Sequence, residues 1–137
     1  MAKAAQTNDN YTSTIREASR ELSPKERVMF KDMANATPLV DFTSAQREAG
    51  EKAIIDVADY AVIDVHNPKA TDNVDYVIYL LIDKAGNKFY TSSAPFWSAF
   101  SDIFKEMVGS DEKWGIETVL IPSKNYKGKE ILTCSLV

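Results

Sequence analysis

The sequence predicts a mainly β domain, a five-stranded OB-fold barrel with a helix between strands three and four and a helical extension at the N-terminus. Three observations predict it. Residues 75–92 read as a hairpin, in which the run Asp-Tyr-Val-Ile-Tyr-Leu-Leu-Ile-Asp meets a Lys-Ala-Gly-Asn turn and a second strand that begins at Lys88. A long alternating stretch, 54–65, precedes the hairpin. An amphipathic helix and two more strands follow it, completing the order strand, strand, strand, helix, strand, strand. On this reading residues 1–50 are a flexible tail with a helical extension, and 51–137 are the barrel domain.

Taken in order, residues 1–11 are small, polar and without periodicity, as in a mobile tail. Residues 12–22 suit a short helix with Ile15, Ala18, Ser19 and Leu22 on one side, a thin apolar face. Ser23-Pro24-Lys25-Glu26 is a sharper signal, with a capping serine, proline at the first helical position and glutamate three residues past the cap. The helix it starts carries Val28, Met29, Phe30 and Met33 and ends before Pro38. Residues 37–52 read as a connector with room for one helical turn at 44–50. The apolar surface here suits packing on a barrel end or strand edge, and equally a contact with a second subunit. The residues leave both open.

In the first barrel strand Ile55, Val57, Ala61, Ile63 and Val65 share one parity, and Asp56, Tyr60 and Asp64 the other. Asp59 falls on the apolar parity, which predicts a bulge or bend there. Residues 66–74 form a polar loop. The helix predicted over 96–108 carries Phe96, Phe100, Ile103, Phe104 and Met107 on one face and stops at Gly109. Trp97 and Trp114 read as packing residues beside the core. Strand four spans 116–121 and strand five 131–136, with Leu132, Cys134 and Leu136 on one parity and the loop 123–129 between the strands.

The 137 residues are 45% hydrophobic, enough for one domain with a core. The formal net charge of -4 runs against the basic excess usual in nucleic-acid binders, although one local basic groove is compatible with an acidic total. One cysteine, Cys134, excludes an internal disulfide. No apolar run is long enough to span a membrane and no signal-peptide core opens the chain, so a cytoplasmic, membrane-free protein is expected.

The residues do not read as an enzyme. The lone His66 lies beside an Asn-Pro turn, and one Cys with one His is too few ligands for a usual zinc site. No phosphate loop or nucleophile elbow is present, and the aspartates at 56, 59, 64, 72, 75 and 83 are scattered over strands and turns. No metal or cofactor is expected. Binding is the better reading, because aromatic rings interleaved with cations suit the bases and phosphates of a single strand. With Ile78, Leu80, Ile82 and Phe89 directed to the core, Tyr79, Lys88 and Tyr90 are expected to share the outer face of strands two and three. The last loop adds Lys124, Tyr126, Lys127 and Lys129, with Glu130 the single acid nearby.

These residues resemble a family of small OB-fold single-stranded DNA-binding proteins of phages and conjugative plasmids of Gram-positive bacteria. The resemblance covers residues 12–137. It rests on Arg-Glu-Ala-Ser-Arg-Glu-Leu-Ser-Pro-Lys-Glu-Arg at 16–27, Asp-Lys-Ala-Gly-Asn-Lys-Phe-Tyr at 83–90 and Phe96-Trp97 at the helix start. It rests also on Pro-Ser-Lys-Asn-Tyr-Lys-Gly-Lys at 122–129 and the Leu-Thr-Cys-Ser ending. The resemblance implies binding of single-stranded DNA with little sequence preference, in replication, recombination or plasmid transfer. It implies self-association too, for which the N-terminal segment is the natural candidate. Bacterial single-strand binders typically recruit repair partners through a long acidic tail, and none follows the last strand here, so that mode is not expected. RNA stands beside DNA as a ligand, since stacking does not distinguish the sugars. Two rivals are a protein-interaction module and an acidic inhibitor that mimics DNA.

Overall fold

The computed structural model describes residues 11–71 and 73–137, so the expected tail, Tyr11 apart, and Asp72 lie outside the described residues. Strand β1 (Thr12–Ala18) leads to helix α1 (Pro24–Lys31), the two-residue strand β2 (Thr37–Pro38) and helix α2 (Leu39–Glu48). Strands β3 (Ala53–Ile55), β4 (Val57–His66), β5 (Asp75–Asp83) and β6 (Lys88–Thr91) come next. Helix α3 (Ala94–Met107) then precedes β7 (Ile116–Pro122) and β8 (Glu130–Leu136). The protein is mainly β, with one sheet ordered β1-β4-β5-β6-β2 and a second ordered β3-β7-β8. The order of elements from β3 onward is the one read from the sequence, with the long first strand broken at Asp56 and divided between the sheets.

The helix expected over 12–22 is replaced by a strand. Thr12, Ser13, Thr14 and Ile15 favour extended backbone, and the antiparallel edge of β4 supplies the partners that a thin helical face could not. Helix α1 does open on the expected capping box, with Glu26 N–H donating to Ser23 Oγ at 3.2 Å and Ser23 N–H to Glu26 Oε1 at 3.0 Å. Leu22 and Phe30 are buried against Ala61, Ile63, Val65 and Leu80 of the sheet. The N-terminal segment is therefore built into the domain as an edge strand and a covering helix, rather than appended to it.

Helix α2 corrects a second expectation, since 37–52 holds ten helical residues and not one turn. Its anchors are Leu39, fully buried, and Thr43, whose hydroxyl donates to the Leu39 carbonyl at 2.7 Å and lies 2.7 Å from the Thr118 hydroxyl. Phe42 adds a half-buried ring against Phe89, and with one of the two deeply buried positions a threonine the sequence shows only a short apolar face.

The long strand shows why its parity misled. A bulge between Val57 and Asp59, one residue before the expected place, turns the strand over. Ile55 and Val57 face the main core ahead of it, and Tyr60 and Val62 face that core beyond it. Ala61, Ile63 and Val65 then point to the second core under α1. Both parities are apolar because both faces of the sheet are covered. Asp59 is fixed there by Ser19 Oγ at 2.8 Å and Arg20 Nε at 3.2 Å.

Helix α3 fills the space between the sheets with Phe96 and Phe100, both fully buried. Ile103, Phe104, Trp97 and Trp114 pack against the same core, as expected for the two tryptophans. Leu132 and Cys134 are buried in it, whereas Leu136 is exposed. Burial pushes the Cys134 thiol up to about 12. Gly115 lies where β3 and β7 approach, and an added Cβ would meet the Ile55 carbonyl at 2.9 Å.

The sheets are not closed into a barrel. The free edge of β6 pairs in parallel with β2, Thr37 opposite Phe89 and Pro38 opposite Tyr90, where closure would require β8. The short element that the sequence hides among connector residues therefore holds the seam open. Among the described residues no helix is long and apolar enough to cross a membrane.

Candidate nucleic-acid interface

The β5–β6 hairpin is set by its turn. Asp83 Oδ1 accepts from the backbone N–H groups of Ala85 at 2.9 Å and Asn87 at 2.8 Å, and Gly86 takes the positive φ of 91° that the turn needs. The register that results places Leu81 opposite Phe89, Leu80 opposite Tyr90 and Ile82 opposite Lys88. Directly opposed residues share a face. Tyr79 thus lies with Leu81 and Phe89 on the main-core face, and Lys88 and Tyr90 lie on the other. The expected shared platform of Tyr79, Lys88 and Tyr90 does not form, because Phe89 belongs to the parity of Leu81 and not to that of Leu80.

Two of those residues have structural partners instead. The Tyr79 ring lies parallel to Trp97, with centroids 4.8 Å apart and planes 3° from coplanar. Lys88 Nζ donates to the carbonyls of Met29 and, at 2.9 Å, Asp32, where α1 ends. The ammonium adds to the Asp32 N–H that already reaches the Met29 carbonyl, at 3.2 Å, and complements the negative end of the helix. Tyr90 remains half-buried on the face that also carries Tyr76 and Ile78. Tyr76 was missed by the sequence reading, although it has the parity of Ile78 and Leu80.

The β7–β8 loop stands where the sequence placed it. Ser123 Oγ accepts from Asn125 N–H at 3.3 Å and Tyr126 N–H at 3.2 Å, and Ser123 N–H donates to the Lys129 carbonyl at 2.8 Å. Gly128 completes the turn with a φ of 81°. This backbone framework leaves Lys124, Lys127 and Lys129 in solvent around Tyr126, which is 68% exposed. No ion pair among the described residues involves these three lysines. The neighbouring acid is engaged elsewhere, since Glu130 accepts two hydrogen bonds from the Arg47 guanidinium, at 2.9 and 3.3 Å. Those bonds hold its carboxyl below the usual range and raise Arg47.

Strand β8 is tied to the start of α3. Ser93, which lies just past β6 and caps α3, donates its hydroxyl to the Leu132 carbonyl at 3.3 Å. Two arginines elsewhere are paired: Arg16 forks onto Asp64, and Arg20 bridges Glu26 and Asp59. Tyr60 donates to Glu17 at 2.6 Å, and burial, with Glu17 second, pushes its hydroxyl up to about 12. His66 Nδ1 lies 2.7 Å from Asp75, on exposed strand ends. Among the described residues no group of three or more His, Cys, Asp and Glu could hold a metal. No family model, curated protein or solved structure matches this chain.

Proposed function

We propose that the protein binds single-stranded DNA without catalysis and with little sequence preference, on an OB-type scaffold left open between β6 and β8. The scaffold reading is supported by the element order and by the long strand shared between the sheets. The observation that carries the function is the β7–β8 loop, where three lysines without acidic partners among the described residues surround an exposed tyrosine. Lysines supply phosphate contacts and Tyr126 a stacking surface worth roughly 1–3 kcal/mol per base. Tyr90, half-buried on β6, is a second stacking residue of the proposal. Tyr79 and Lys88, held by Trp97 and by α1, drop out of the proposed contact set. Phage or plasmid replication, recombination or transfer remains the setting that the resemblance suggests.

Fluorescence anisotropy of labelled single-stranded and duplex oligonucleotides of equal length, over a range of salt, tests this. Binding to the single strand that weakens as salt rises is expected. Absence of binding at low salt overturns the reading. A protein-interaction role is the second reading, favoured by Val28 and Met29 on α1, which are 68% and 54% exposed. It fits a protein that ignores both oligonucleotides.

A further inference from the structure

Arg47 and Glu130 stand out once the lysine loop is taken as a phosphate-binding element, and any role for them in DNA binding rests on that reading. The guanidinium meets the carboxylate with two nitrogens on two oxygens, at 2.9 and 3.3 Å. A guanidinium fork fits a phosphate in the same way as it fits a carboxylate. Glu130 directly succeeds Lys129 in the chain, so this fork lies at the foot of the three free lysines. Both partners stay substantially in solvent, with side chains 54% and 41% exposed. An exposed pair of this kind is weakly held and open to exchange.

We propose that Glu130 acts as an internal phosphate surrogate on Arg47, and that a phosphate of the bound single strand displaces it. Arg47 is then a fourth cation of the site, concealed until DNA arrives. Arg47 also lines an open groove of about 250 Å³ between α2 and β7, with Thr43, Lys52 and Val119. Glu51 and Glu117 line the same groove, so the groove itself repels phosphate. Phosphate is therefore met where Glu130 now sits, next to Lys129 in the chain.

The test uses the full chain, an oligo-dT probe and four proteins: wild type, Glu130→Gln, Arg47→Gln and the double variant. Thermal midpoints confirm that each is folded. Glu130→Gln should bind roughly three- to tenfold more tightly, as an arginine freed from its competitor reaches phosphate. Arg47→Gln should bind more weakly than wild type and lower the log–log salt slope by about 0.7, the contribution of one phosphate contact to a single strand. The double variant should lose the gain of Glu130→Gln. If the double variant keeps that gain, simple removal of a negative charge explains it and the exchange is overturned. An unchanged Arg47→Gln slope overturns it as well. Failure of all four proteins to bind would instead overturn the DNA-binding reading itself, and the exchange with it.

Discussion

Two hairpins of this protein carry the same residue types to opposite ends. In β5–β6, Tyr79 is stacked on Trp97 and Lys88 is bound to the carbonyls that end α1. In the β7–β8 hairpin, Tyr126 and its three lysines stand in water, held only by the backbone turn beneath them. The difference comes from neighbours. The first hairpin lies in the middle of a sheet covered by α1 on one face and α3 on the other, so Tyr79 and Lys88 find protein partners there. The second is at the rim of the smaller sheet, and its one acidic neighbour is turned towards α2. Composition alone does not tell a binding tyrosine from a packing one; the surroundings do.

The comparison is most sharply broken or upheld by stability. Tyr79→Ala should destabilise the fold by about 2–4 kcal/mol, since it removes an aromatic pair at the core. Tyr126→Ala should stay within about 0.5 kcal/mol of wild type, as surface substitutions do. Chemical denaturation of the two variants side by side decides it, and equal losses would erase the distinction between the hairpins. Next in size is binding. Replacing Lys124, Lys127 and Lys129 together with Ala should flatten the log–log salt dependence for single-stranded DNA by about 2, at about 0.7 per contact. An unaltered slope in the folded triple variant would remove the loop from the site. The smallest effect is expected at Lys88. Lys88→Ala should cost about 1 kcal/mol of stability through the lost contacts at the end of α1. Its affinity for DNA should match wild type; a large loss of affinity would return Lys88 to the interface.

Much of the fold was legible because it is written in local signals. The capping box of α1, the aromatic face of α3, the Gly86 turn and the Pro122 strand end each arise from a few adjacent residues. The β7–β8 loop was legible for the same reason, since a contiguous lysine and tyrosine run in a turn keeps its exposure in most settings. The errors share another cause. Thr12–Ala18 is a strand because β4 presents an edge to it, and Thr37–Pro38 is a strand because β6 does. Neither edge is visible from the residues that fill it. Tyr60, assigned to the polar parity, is buried because the bulge before it reverses the strand.

The sequence by itself determined the order of elements from β3 to β8, the amphipathic helix between the sheets and the exposed cationic turn. Periodicity, caps and turn residues act over a few positions and need no distant partner. Tertiary structure alone decided which face Tyr79 joins, that Lys88 closes a helix end, that Arg47 meets Glu130, and that the seam beside β6 is taken by residues 37 and 38. Each of these is a contact between segments far apart in the chain. Its geometry depends on a register or a bulge that displaces side chains by a whole face for a shift of one residue.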